Sequence, residues 1–470
     1  MDPFGNDSTD LRELTIEKNN TDNKSPLWKR LLMFFIILGL WVVIVVVIII
    51  TVYIPEREQD EKEDNKEEDN KKEENIEKYG VINSIFDIDD ISKEYSLLGE
   101  EFNQTNIGIF INNEKINSTN YKFTKKGENS VIYKLYEKEL SMDNMFKDIS
   151  NLIKVEMNSD KDISITSMIS SFENCKDLRQ FSIQGFLTNS LKSMKKLFYN
   201  SHINYINITN FDTKNVEDMS YMFAYTDFDN FDFNEKATYI NTENVKTMSH
   251  LFYGCENLQR IDISSFKTSN VVNMSGMFRG CISISELDLS NLNINLVEDI
   301  SFMFYDMQSL KELKIDKFNT ENVKNMSNMF SYNEKITELD LSNFTTDNVE
   351  DMSYMFSYCT NLKTLKISNF KTGNVKDMSG MFNKCYNIKS LDLTSFNTSN
   401  VLSMNSMFNQ CYELRELNLE SFVTEKCSDF EDMFGDLTRI RITVEYRDDC
   451  QNMISTIPKE LIKRKIDNYI

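Results

Sequence analysis

Residues Asn374–Phe396 read NVKDMSGMFNKCYNIKSLDLTSF, and two periodicities succeed each other within them. Val375, Met378, Met381, Phe382 and Cys385 recur at the spacing of one helix face, whereas Leu391 and Leu393 alternate with Lys389, Asp392 and Thr394 as in a half-buried strand. The stretch therefore predicts a short helix, a turn and a short strand. Asn374 stands where an N-cap belongs, with Asp377 three residues on to favour the positive end of the helix dipole; Asn348 with Asp351 and Asn215 with Asp218 repeat the arrangement. Thr268, Thr320, Thr346, Thr372 and Thr398 fall in the preceding loop, where their hydroxyls can satisfy turn backbone groups.

Working outward from Phe382, the same sentence recurs with marker residues Phe146, Phe172, Phe198, Phe223, Phe252, Phe278, Phe304, Phe330, Phe356, Phe408 and Phe434. The interval is 26 residues from Phe252 onward, and one excess falls upstream, between Thr226 and Tyr239. A fixed period of this size with recurring leucines marks a solenoid whose units bury their apolar faces only against neighbours. Of the 24 methionines, 19 occupy two columns, four and one residues before the marker, and these read as core filler between stacked units. Cys175, Cys255, Cys281, Cys359, Cys385 and Cys411 lie three residues after a marker. No C-x-x-C pair accompanies them, and equivalent positions on neighbouring helices would lie too far apart for a disulfide, so buried free thiols are expected. Cys427 and Cys450 stand outside the column, and their pairing is open.

FKTGNVKDMSGMFNKCYNIKSLDLTSF (370–396) and FTTDNVEDMSYMFSYCTNLKTLKISNF (344–370) resemble the repeat of BspA-type leucine-rich-repeat surface proteins over about residues 142–442. The resemblance implies a surface-exposed binding module used in adhesion, with no catalytic residues to carry over. Leu296 replaces the Asn before Val297, Lys426 and Cys427 replace the last Asn-Val pair, and the first units lack it, as divergent capping units do.

The formal charge of −22 would repel phosphate backbones, so nucleic acid is not an expected partner. Residues 31–54 form an uncharged apolar run long enough to cross a bilayer as a helix, flanked by Lys29 and Arg30, which the positive-inside rule places on the cytoplasmic side. The expected organisation is a cytoplasmic tail (1–30), a transmembrane signal anchor (31–54), an acidic charged stalk (55–79), an N-terminal cap region (80–141), the repeats (142–442) and a C-terminal cap (443–470). The expected fold is an α/β leucine-rich-repeat-like solenoid with a parallel β-sheet on the concave side, short helices on the outer side, and one N-terminal transmembrane helix. That architecture implies a single-pass membrane protein with its repeat domain outside the cell.

Three surfaces could carry recognition. Asp262, Asp288, Lys314, Asp340, Lys366 and Asp392 occupy one strand column, ten residues after each marker, where alternating sign either fixes the stacking or contacts a ligand. Tyr199, Tyr225, Tyr253, Tyr305, Tyr332, Tyr358, Tyr386 and Tyr412 follow the markers on the outer side. The irregular segment 227–239 lacks the ordered calcium-loop spacing. Seven Asn-x-Ser/Thr triplets follow the apolar run, at Asn103, Asn117, Asn207, Asn273, Asn325, Asn343 and Asn397, and are glycan acceptors only if the chain passes through a eukaryotic secretory route. His202 and His250 are the only neutral-pH bases, and neither belongs to a recognisable nucleophile arrangement, so no enzyme activity, cofactor or metal is expected. These readings converge on a non-catalytic module that binds a protein or surface glycan, for adhesion or recognition. A structural coat or scaffold, built by self-association, is the alternative.

Overall fold

The computed structural model describes residues 40, 43, 79–208, 211–228, 230–232, 240–437, 443–446, 453 and 455. The chain divides into two compact units, Met1–Glu77 and Lys78–Ile470. In the second, seven strands precede the solenoid: β1 (Gly80–Ile88), β2 (Tyr95–Ser96), β3 (Ile107–Ile111), β4 (Glu114–Ile116), β5 (Asn120–Tyr121), β6 (Gly127–Leu135) and β7 (Glu139–Ser141). The longer β8 (Leu152–Ser167), β9 (Gln180–Leu187) and β10 (Tyr205–Asn207) follow in parallel. Because β1 pairs antiparallel with both β6 and β8, one sheet of order β10-β9-β8-β1-β6-β3-β4 joins the N-terminal strands to the first rungs.

The remaining rungs contribute β11 (Asn230–Asp232), β12 (Arg260–Asp262), β13 (Glu286–Asp288), β14 (Glu312–Lys314), β15 (Glu338–Asp340), β16 (Thr364–Lys366), β17 (Ser390–Leu391), β18 (Glu416–Leu419) and β19 (Thr443–Tyr446). Partners sit one repeat apart and parallel, as in Leu287 opposite Leu313 and Leu339 opposite Leu365. A second track of single-residue parallel bridges runs from Ser193 through Asp218, Thr247 and each later rung to Asp429.

The expected outer helices do not form. In the marker segment the N–H groups of Met378, Gly380, Phe382 and Lys384 donate to Ser403, Asn405, Met407 and Asn409 of the next rung, while those of Met381, Asn383 and Cys385 close three-residue turns onto Met378, Gly380 and Phe382. A helix would instead bond each N–H four residues back along its own chain. The residues two before and two after all twelve markers adopt positive φ, among them Tyr354 (55°), Tyr358 (58°), Gly380 (57°) and Lys384 (61°). Left-handed residues at that frequency exclude a right-handed helix. The architecture is a β-solenoid of strands and chained turns. An i, i+3 turn chain buries the same residues as a helix face, which is why the spacing misleads.

The Asn N-caps are corrected by the same observation: Asn374 Nδ2 donates to the Asp347 carbonyl of the preceding rung (2.7 Å), and Asn348 Nδ2 to that of Glu321 (2.7 Å). The threonines do serve loop backbone, across rungs: Thr372 Oγ1 donates to the Asn397 carbonyl (2.9 Å) and accepts from its N–H (2.8 Å).

The twelve marker phenylalanines form one buried stack, with ring centroids 5.5 to 6.3 Å apart in successive rungs. The two methionine columns and the Val column beside them are buried, as core filler requires.

The membrane expectation is also corrected. A spanning helix needs about 20 apolar residues, and no helix among the described residues is long and apolar enough to cross a membrane. A single-pass placement with an outside repeat domain is therefore not supported. Of the run 31–54 only Leu40 and Val43 are described, both helical and exposed; the rest of it, with Lys29, Arg30, the tail 1–30 and the stalk up to residue 78, lies outside the described residues.

Candidate recognition surface

Each strand from β12 to β16 presents two outward residues around one leucine or isoleucine on the inward side, because side chains alternate across a strand. Leu287 of β13 is buried while Glu286 and Asp288 face solvent; Leu339 of β15 does the same between Glu338 and Asp340. Parallel in-register pairing then lines equivalent positions up as columns.

The column singled out by sequence is assembled in pairs. Lys314 Nζ meets Asp288 Oδ2 at 3.0 Å and Lys366 Nζ meets Asp340 Oδ2 at 2.6 Å, each within one two-stranded sheet. Ser290, through its hydroxyl and amide, and then Lys314 hold the Asp288 carboxyl down to about 2; Lys366 and then Ser342 do so for Asp340. Lys314 and Lys366 are raised, chiefly by the hydrogen bonds to their aspartates. Asp262, on β12, accepts from the Ser264 N–H (2.9 Å), and Asp392, just past β17, accepts from Thr394 Oγ1 (2.6 Å). Those two serve their own loops.

Two residues earlier on the same face stands a column that the sequence reading passed over: Arg260, Glu286, Glu312 and Glu338. Period-two alternation was the available signal. Glu286 and Glu312 lie directly opposite in register, and Glu338 occupies the equivalent place one rung on. None of these three carboxylates forms an ion pair or hydrogen bond among the described residues; Lys314, which acts electrostatically on Glu286 and Glu312, and Lys366, which acts on Glu338, make their direct contacts to the aspartates instead, so like charges stand side by side only partly compensated. The face opens into a groove of about 1140 Å³ lined by Tyr205, Arg260, Glu286, Asp288, Glu312 and Lys314 among others.

On the turn face, tyrosines pack on one another. Tyr332 and Tyr358 stack at 4.2 Å, Tyr225 and Tyr253 lie 4.7 Å apart, and Tyr386 and Tyr412 stack at 5.2 Å. Lys196 covers Tyr199, Arg279 covers Tyr253 and Tyr305, and Lys384 covers Tyr358. Their ring faces are largely engaged within the protein.

The column cysteines and Cys427 are buried and free, while Cys450 lies outside the described residues. Each column thiol donates to the marker carbonyl of the preceding rung, as Cys385 Sγ does to Phe356 O (3.1 Å). Ser201 and Asn333 perform the same task in their rungs. No group of three or more His, Cys, Asp or Glu placed to hold a metal ion occurs among the described residues. Of the irregular segment, residues 233–239 lie outside the described residues.

This is a repeat solenoid resembling a leucine-rich-repeat protein. The chain belongs to the DUF285 family, described as a Mycoplasma protein of unknown function, whose model matches residues 140–237, 225–339 and 332–446. Among solved structures it is similar to a leucine-rich repeat protein from Bacteroides ovatus, at 14% identity and a TM-score of 0.43 over 78% of this chain and 99% of that one. A further similarity is to a TLR13–ssRNA13 complex, at 13% identity and a TM-score of 0.14, covering 69% of this chain and 60% of the other. No curated protein matches the chain. The broad expectation of a repeat array holds in the parallel rungs themselves, whereas these matches do not carry the narrower BspA-type assignment.

Proposed function

We propose that the solenoid is a non-catalytic recognition module, of the kind adhesion requires, which binds a basic segment of a protein partner along its strand face. The observation that carries this reading is the column Glu286, Glu312 and Glu338. Adjacent in-register carboxylates cost stability, and the neighbouring column shows that this face accommodates lysine where neutralisation is achieved internally. A partner bearing Lys or Arg would pair directly with carboxylates that Lys314 and Lys366 reach only at a distance, and would associate faster for the attraction. Nucleic acid is disfavoured by the same charges.

The test is titration of the full chain with a synthetic lysine-rich peptide at physiological salt, comparing two triple variants. Glu286→Lys, Glu312→Lys and Glu338→Lys together should weaken binding by at least about tenfold relative to Glu321→Lys, Glu334→Lys and Glu425→Lys, which change net charge equally on other faces. Equal loss in both would reduce the binding to bulk charge and sink the reading. Concentration-dependent self-association of the wild-type chain without peptide would favour the scaffold alternative.

A further inference from the structure

In every rung the position two residues before the marker is left-handed, and at His250 and Tyr354 its side chain lies against the next rung. In two places the next rung supplies a glycine there: Gly276 follows His250, and Gly380 follows Tyr354. A Cβ on Gly276 would come within 2.6 Å of His250 Nε2, and one on Gly380 would collide with the Tyr354 ring. Each glycine thus forms the floor of a slot filled by the preceding ring. The two slots share backbone geometry, with φ of 57° at His250 and 55° at Tyr354, and differ in the chemistry of the occupant.

The histidine slot is closed on its other side by Tyr221, whose ring stacks on the imidazole at 4.6 Å and 6°, while Tyr253 of the same rung meets it edge-on at 5.5 Å. His250 Nδ1 is buried and makes no hydrogen bond. The charges that act on the ring are Arg279 from the next rung and Asp299 from the one after. Arg279 is itself held over Tyr253, Phe302 and Tyr305 at 4.8 to 5.1 Å, so it remains beside the slot. A neutral imidazole fits. An imidazolium would place a second N–H where no acceptor waits, next to a guanidinium.

We propose that His250 is a pH-sensitive latch on the turn face: neutral, it seals the seam between the rungs marked by Phe252 and Phe278, and on protonation it leaves its slot and loosens that seam. The Arg279–Tyr253 contact should loosen with it, so the middle of the aromatic ribbon becomes more open in acid. Burial first and Arg279 second hold the histidine below its ordinary value, with Asp299 opposing them. A folded-state value that is lowered gives a contribution fully present above the unfolded value, about 6.5, and lost as pH falls below it.

Hydrogen exchange on the full chain at pH 7.5 and 5.5, corrected for intrinsic chemistry, reads the seam through the His250 N–H, bonded to Ser275 O at 2.7 Å, and the Gly276 N–H, bonded to Ser301 O at 2.8 Å. These amides should exchange about five- to tenfold faster at the lower pH, while the equivalent Tyr354 N–H, bonded to Ser379 O, changes little. His250→Tyr, which copies the Tyr354 slot, should abolish the difference. Equal acceleration at both slots, or a pH response that survives His250→Tyr, would overturn the latch. If the variant does not fold, the wild-type comparison still decides. A His250 titration midpoint by NMR at or above about 6.5 would also reject it.

Discussion

At Cys359 a weak donor does what a stronger one does elsewhere in the array. Its thiol reaches the Phe330 carbonyl at 3.1 Å in a fully buried column, and Ser201 and Asn333 fill the same role in other rungs. Cys359→Ala should therefore cost about 1 to 2 kcal/mol, from a small cavity and an unpaired carbonyl, whereas Cys359→Ser should cost under about 1 kcal/mol because the donor survives. The measurement is a shift of the urea midpoint at constant slope; equal losses for Ala and Ser would show that only volume matters. Burial pushes the thiols of Cys255, Cys359 and Cys411 up to about 12, so a thiol reagent at pH 8 should label them only on unfolding. The column's burial was legible from its fixed distance to the marker. Its hydrogen-bonding duty was not, although Ser201 and Asn333 in place of cysteine left the signal: these residues share a polar hydrogen and little else. The site residues behaved alike. Asp288, Lys314, Asp340 and Lys366 were legible because their signs alternate, while the glutamates beside them, which make no direct ion pair, lacked the contrast that draws the eye.

The marker segment turns on a choice between helix and turns that apolar spacing does not make. Met378, Met381, Phe382 and Cys385 point inward in both, and the deciding residues are the outward ones two before and two after each marker. Gly, Asn and Asp fill half of those positions, and they are the residues that reach the left-handed region most readily. The tyrosines and lysines among them pay strain on the order of 1 kcal/mol each, offset by bonds such as Tyr354 N–H to Ser379 O (2.7 Å) that only the next rung can supply. Gly380 shows the coupling between rungs. Gly380→Ala should destabilise by at least about 1 kcal/mol, since its methyl takes the space of the Tyr354 ring and its φ of 57° disfavours a side chain. Tyr354→Ser empties the slot first, so in its background Gly380→Ala should cost clearly less. A double-mutant cycle in denaturant reads the difference, and additive losses would mean that the ring does not occupy the slot.

For the whole molecule, the same dependence on the next rung sets what can be removed. Strand register, the turn-to-turn bonds and the Phe stack all connect residues one repeat apart, so each rung contacts little beyond its two neighbours. This is why the array was legible from period alone. The joint with the N-terminal strands was not: the alternation in residues 106–113 and 121–137 announces β3 and β6, but the antiparallel seam of β1 with β8 is a long-range pairing that no local pattern encodes. The consequence for the repeats is a selection rule on length. Removing Leu339–Thr364, 26 residues, joins Glu338 to Leu365 and leaves every column in register. That chain should fold to the same type of circular dichroism spectrum and unfold cooperatively with a slightly smaller denaturant slope, in proportion to the surface lost. Removing only Leu339–Asp351 sets a strand against a turn track, breaks the Phe stack, and leaves the backbone groups of both flanking rungs without partners. The shorter deletion should therefore be the more damaging one. If the half-rung deletion matched the full-rung deletion in stability, nearest-neighbour stacking would not be what holds this solenoid together.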